Sequence, residues 1–150
     1  MHIRPATLAD LDTVCEFNVR LAQESEGKTL AADIVRAGVR ALLEDAGKGR
    51  YLVAESQGAV VGQLAVTFEW SDWRNGWFWW IQSVYVHADA RKSGVFRALF
   101  DHLRTQANNE GVIGIRLYVE ADNQIAQATY ERLGLAWTNY RVMEICPLTK

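Results

Sequence analysis

The chain has 150 residues, 49% of them hydrophobic and 23% charged, with a formal net charge of −2. That length suits one domain over residues 1–150 with a single core, and the near-neutral balance argues against a general nucleic-acid binder, so an anion site has to be local. Cys15 and Cys146 show neither CxxC nor zinc-ligand spacing and read as buried thiols with no metal site. Met1-His2-Ile3-Arg4-Pro5 lacks a signal-peptide apolar stretch, and no apolar run approaches the roughly 20 residues of a membrane span. A cytoplasmic protein without membrane contacts is expected.

Residues 3–5 read as a short first strand. Thr7-Leu8-Ala9-Asp10 has the form of a capping box, with Asp10 in place of the usual Glu or Gln, so a helix should follow to about Ser25. Leu11, Val14, Cys15, Val19 and Leu21 roughly follow its apolar stripe, and Ile34, Val35, Val39, Leu42 and Leu43 suit a second helix ending by Gly47. Strand formers at 51–54 and 59–68, divided by Ser56-Gln57-Gly58, indicate an antiparallel hairpin. The run 77–86 is apolar on both alternating faces, which predicts a central strand covered on both sides.

Ile81-Gln82-Ser83-Val84-Tyr85-Val86 then leads through Arg91-Lys92-Ser93-Gly94 into a helix over 94–108. A helix start presents N–H groups without intrahelical partners and partial positive charge, so an anion is favoured there, and Arg91 and Lys92 add full charges. A strand at 113–119, a helix at 124–133 and a last strand at 140–145 complete the chain. The helical crossover makes strands 77–86 and 113–119 parallel, with a ligand expected near their C-terminal ends.

Two motifs carry a resemblance over nearly the whole chain. Arg91-Lys92-Ser93-Gly94-Val95-Phe96 matches the first two fixed positions of Gln/Arg-x-x-Gly-x-Gly/Ala. Asn123, Ala126, Tyr130, Leu133 and Gly134 match a second pattern about 30 residues on. In order and spacing they are similar to the GCN5-related N-acetyltransferase (GNAT) superfamily. The resemblance implies a mixed α/β (α+β) fold, with a mostly antiparallel sheet flanked by helices and two central parallel strands that splay apart. Phe96 departs from the pattern, since Gly or Ala there lets backbone approach a pyrophosphate closely.

The resemblance further implies acetyl-coenzyme A as cosubstrate. Its pantetheine arm would pair with Val84, Tyr85 and Val86, its pyrophosphate would sit on the turn formed by Arg91, Lys92, Ser93, Gly94, Val95, Phe96 and Arg97, and Asn123 and Tyr130 would lie beside it. Tyr130 matches the position whose phenol protonates the departing sulfur; the alternative is a core tyrosine. Some relatives carry a carboxylate pair where this chain has Gln82 and Ser83, neither of them a base. Glu69 is then the leading candidate base, against a solvated strand-end charge, with Glu120 the next choice and Gln82 orienting substrate or water. Glu24 and Glu26 at the end of the first helix, together with Trp70, would border a small-molecule or peptide amine acceptor, or else merely be surface. The crowded tryptophans permit a homodimer.

A different function class remains open: a non-catalytic acyl-coenzyme A binder, motivated by Phe96 and the missing carboxylate pair. A nucleotide-phosphate domain of unrelated fold explains the basic turn but not residues 123–134.

Overall fold

Thr7 and Asp10 form the expected capping box: Thr7 Oγ1 accepts from Ala9 N–H at 3.3 Å, and Asp10 Oδ2 accepts from Thr7 N–H at 2.7 Å. Arg4 closes the buried Asp10 carboxylate with a two-pronged pair at 2.8 and 2.9 Å and reaches Glu55 at 2.7 Å. The chain's first strand, first helical turn and second strand are thereby tied together. The computed structural model describes residues 1–148. Its elements are β1 (His2–Pro5), α1 (Leu11–Glu26), α2 (Ala32–Glu44), β2 (Arg50–Ser56), β3 (Ala59–Ser71), β4 (Gly76–Val86), α3 (Val95–Asn109), β5 (Gly114–Leu117) and α4 (Gln124–Arg132). They fall into two compact units, Met1–Tyr118 and the chain from Val119 onward.

In the first unit the sheet runs β1-β2-β3-β4-β5, antiparallel up to β4 and parallel between β4 and β5. β2 and β3 join through Gln57 and Gly58, with φ of +52° and +79°. A two-residue turn with both φ positive matches the right-handed twist of a hairpin. Leu11 and Val14 from α1 and Val39 from α2 pack on Tyr51, Val53 and Ala65. Val19, expected on that stripe, is exposed, and Phe17 is buried instead.

α3 lies against the opposite face. Gln63 bonds Asn18 of α1 at 2.8 Å, whereas its neighbour Gly62 meets Val95 and Leu99 of α3, and adjacent strand residues point to opposite faces. Gly62 has no side chain because Val95 and the Tyr85 carbonyl fill the space where one would stand. Val95, Leu99, Phe100, Leu103 and Ala107 form the buried stripe of α3.

Two expectations are corrected. Residues 140–145 form no strand within the second unit, and β5 is the last strand of the first unit's sheet; strand formers alone do not make a strand, which needs a neighbour to pair with. Cys146 is exposed and Cys15 only half-buried, so neither is a fully buried thiol. Among the described residues no helix is long and apolar enough to cross a membrane.

Candidate active site

The β4–β5 ladder stops early. It pairs Phe78 with Gly114 through Ile81 with Leu117, yet β4 continues to Val86. Just beyond the last pair, Ile81 faces Val66 and Ser83 faces Ala65, leaving Gln82 as an extra residue in β4. A bulge of this kind bends its strand and increases local twist, and it lies where the pairing with β5 ends.

The freed edge has a definite polarity. His87 N–H donates to Val61 O of β3 at 2.9 Å, so the Val86 carbonyl of the same peptide unit points the other way. Alternation places the N–H and C=O of Val84 and the N–H of Val86 on that edge too. The Tyr85 backbone faces β3 instead. Arg91 Nε donates to the Val86 carbonyl at 3.1 Å.

Past β4 the chain makes a short 3₁₀ turn over Ala88–Ala90 and reaches Gly94 through Lys92, which adopts a left-handed φ of +63°. Ser93 Oγ donates to Ala90 O at 2.6 Å. Gly94, at φ +83°, is the N-cap of α3 and brings no side-chain cap, and the helix's backbone bonding begins with Ala98 N–H donating to Gly94 O at 3.0 Å. The first-turn amides are thus directed out of a helix end that no side chain caps, a geometry that favours an anion. The ring of Phe96 lies 6.2 Å from that of Phe100, one turn further along. Arg97 is paired with Asp101 at 3.0 Å.

Glu24 meets this region from α1. One of its oxygens accepts from the Tyr85 phenol at 2.8 Å, and the other pairs with the Arg91 guanidinium. The Arg91 hydrogen bond, followed by that of Tyr85, holds the Glu24 carboxyl below the usual range, while burial and then the Glu24 bond push the Tyr85 phenol up. Glu26, two residues on, faces Lys28 at 3.5 Å.

Glu69 shares a sheet face with Gln63, six residues further along β3. Trp80 Nε1 donates to its Oε2 at 2.6 Å and Arg116 approaches its Oε1 at 3.3 Å. Arg116 lies 3.7 Å above the Phe78 ring, and Trp80 stacks on Tyr118 at 4.6 Å. Gln82 Nε2 donates to Thr67 Oγ1 at 2.7 Å, so the bulge residue turns toward the same face. Trp70 alternates to the opposite face, against Trp77 at 5.1 Å.

Sequence reasoning missed Arg116, Thr67, Tyr118 and the fully buried Gln63. The signal for Gln63 was an amide in the apolar run 59–66, and for Arg116 a charge inside a short strand. Gln63 Oε1 is buried without a hydrogen-bond partner among the described residues.

The second unit explains its motif residues locally. Asn123 is the N-cap of α4 and accepts from Ala126 N–H at 3.1 Å; Gln127 donates to the carbonyls of Glu120 and Ala121, both at 2.9 Å. Leu135 N–H closes the helix end on Tyr130 O at 3.1 Å, with Gly134 at φ +96°. Burial pushes the Tyr130 phenol up, so it holds its proton at neutral pH.

Among the described residues no group of three or more His, Cys, Asp or Glu side chains is placed to hold a metal ion. No curated protein matches the chain. Among solved structures, it is 46% identical to a possible acetyltransferase from Clostridium difficile 630, with TM-score 0.93, covering 99% of this chain and 98% of that one. It shares its fold with aminoglycoside 6′-N-acetyltransferase AAC(6')-IG from Acinetobacter haemolyticus at 21% identity, TM-score 0.81, and coverage of 99% and 100%. A further likeness in fold is to an aminoglycoside N-acetyltransferase, AAC(6')-Iy, in complex with CoA, at 17% identity, TM-score 0.80, and coverage of 98% and 95%. Residues 12–135 match the family model described as the acetyltransferase (GNAT) family, and the chain belongs to that family.

Proposed function

We propose that residues 1–150 act as one cytoplasmic, homodimeric acetyl-coenzyme A-dependent N-acetyltransferase domain, with a primary amine of a small molecule or peptide as acceptor. The observation that carries the reading is the β4–β5 ladder stopping at Ile81 and Leu117 while β4 runs on past β5 toward the start of α3, which no side chain caps. The donors fit an amide-rich arm ending in a diphosphate: Val84 and Val86 offer strand groups, and residues 92–97 offer amides beside the Arg91 and Lys92 charges. The Gly94 position, free of any side chain, lets backbone approach closely there.

Acetyl-coenzyme A, when bound, supplies the acetyl group as a thioester. The chain's own groups then handle two protons. An ammonium with an ordinary pKa of about 10.4 has to lose one before it attacks, and the departing sulfur has to gain one. Tyr130 Oη holds the second proton, which its burial retains at neutral pH. Glu69, fixed by Trp80 and Arg116, takes the first directly or through water, and Gln82 orients that water or the acceptor. The Val84 N–H, on the edge of β4 beyond its β5 partners, would stabilise oxyanion charge. Glu24, Glu26 and Glu120 supply negative charge for an ammonium.

The reading is tested by thiol release from acetyl-coenzyme A against a panel of amines and peptides. Turnover is expected with an amine, and Tyr130→Phe should lose turnover while keeping coenzyme binding. Gln82, an amide held by Thr67 where some relatives carry a carboxylate, favours a second reading, a non-catalytic acyl-coenzyme A binder. Binding without thiol release on the whole panel would select it.

A further inference from the structure

We propose that the acceptor is an α-amino acid with an aromatic or large apolar side chain, its ammonium taken by Glu69 and its carboxylate by Arg116. This rests on the N-acetyltransferase reading above and narrows its acceptor from any primary amine to a zwitterion.

One face of the sheet brings the parts together. In register, Glu69 of β3 stands beside Phe78 of β4, while Phe78 and Trp80 stand beside Gly114 and Arg116 of β5. Directly paired residues share a face, so these positions form one patch, and Gln82 follows next to it where the β4–β5 ladder ends. Gly114 leaves its place on the patch empty, since a Cβ there would run into the Phe78 ring. That ring supports the Arg116 guanidinium, which lies 3.7 Å from its centroid.

Arg116 is held by this stacking more than by its ion pair. Arg4 grips Asp10 with two prongs at 2.8 and 2.9 Å, and Arg50 grips Glu110 with two at 2.6 and 2.9 Å. Arg116 reaches Glu69 with one prong, at 3.3 Å. A guanidinium carries five N–H donors in a rigid fork that matches a carboxylate, so most of this fork has no hydrogen-bond partner among the described residues. Only 19% of the side chain is exposed, and donors withdrawn from water are costly to leave idle. Glu69 is 44% exposed, and each of its engaged oxygens keeps a second lone pair.

A cation and an anion 3.3 Å apart are the charge complement of a molecule that carries ammonium and carboxylate on one carbon. Beside them stands an aromatic wall. Trp80, fixed through Nε1 to Glu69 at 2.6 Å, stacks on Tyr118 with ring centroids 4.6 Å apart, and Tyr118 is 59% exposed. That surface suits an apolar side chain. In the reaction the α-nitrogen bonds to the acetyl carbon as the carbon–sulfur bond breaks. Of the two protons the ammonium loses, Glu69 takes the first, and the second balances the one delivered to the sulfur. The products are an N-acetyl amino acid and free coenzyme A.

The test measures thiol release from acetyl-coenzyme A with phenylalanine, phenylalaninamide, phenethylamine and glycine. Phenylalanine should exceed each of the others in kcat/KM by at least about tenfold. Phenylalaninamide is the strictest comparison, because its weaker base is more often unprotonated at neutral pH. Calorimetry reads binding apart from chemistry: phenylalanine should bind the chain loaded with coenzyme A, and Arg116→Gln should weaken that binding at least about tenfold. The same variant should bring the phenylalanine-to-phenethylamine ratio toward unity, and Arg116→Lys, which keeps the charge without the fork, should restore only part of it. Phenethylamine or phenylalaninamide turned over as well as phenylalanine, or release with other amines alone, overturns this inference and leaves the N-acetyltransferase reading standing. Glycine equal to phenylalanine overturns the aromatic preference. No thiol release with any amine or peptide overturns both readings. The wild-type comparisons decide the outcome even where a variant fails to fold.

Discussion

Replacing Gly62 with alanine inserts a methyl group into the seam between β3 and α3. A Cβ at that position would stand 2.7 Å from Val95 Cγ1, 3.2 Å from the Tyr85 carbonyl oxygen and 3.5 Å from Leu99 Cδ1. Carbon atoms in good contact sit about 3.5–4.0 Å apart, so the first distance is too short by about 1 Å. Val95 and Leu99 are buried and cannot swing into solvent, and the Tyr85 oxygen belongs to backbone. The strain therefore moves the first turn of α3 off the sheet, at about 1–3 kcal/mol. Because that turn carries the amides of residues 95–97, a shift of about 1 Å should also weaken coenzyme A binding by roughly tenfold or more. Urea unfolding reads the first effect and titration calorimetry the second. Val95→Ala added to Gly62→Ala removes the offending methyl, so the pair should show a favourable coupling of about 0.5–3 kcal/mol. An unchanged urea midpoint for Gly62→Ala, or strictly additive effects in the double variant, would refute the reasoning.

Asp10→Asn should cost about 1–3 kcal/mol, because it removes the charge that the Arg4 fork and the Thr7 amide are arranged around. Arg4 holds the Asp10 carboxyl below its ordinary range, so the folded state binds that proton later than the unfolded chain does. The stabilisation is complete above the ordinary aspartate value of about 3.9 and is lost as pH falls through the lower folded value. Unfolding free energy measured from pH 5 downward should therefore fall less steeply in Asp10→Asn, and identical slopes would contradict it. Glu24→Gln releases Arg91 from an exposed pair, worth about 0.2–1 kcal/mol, and should tighten coenzyme A binding by up to about fivefold; weaker binding by calorimetry would contradict it. Glu69→Gln should lower kcat by about 10²–10⁴-fold with an unchanged urea midpoint, as expected for loss of a general base. An unaltered kcat would remove Glu69 from that role.

Features set by local chemistry were legible in the sequence. Gln57-Gly58 specifies a hairpin turn by its tolerance of positive φ, Thr7 and Asp10 specify a cap, and Gly94 marks where a strand gives way to a helix. Features set by pairing between distant residues were not. The extra residue at Gln82 exists only relative to the register of β3, and Glu69 and Arg116 meet across 47 positions of sequence. Trp70 reads as a neighbour of Glu69 along the chain, but strand alternation sends it to the other face. The segment 140–145 is the same lesson reversed, since its residue types favour a strand and only a partner edge can make one. Phe96 departs from the expected small residue without removing the helix start, because the turn depends on Gly94 and the amides rather than on that side chain.

Titration of coenzyme A into the wild-type chain and into Gly94→Val tests the central claim most directly. Gly94 adopts φ +83°, which costs a valine about 1–3 kcal/mol, so the variant can keep its helix only by reshaping the turn. The account predicts one coenzyme site per wild-type chain and affinity at least about tenfold weaker in Gly94→Val. No binding heat with the wild-type protein, or equal affinity in the two, would contradict it.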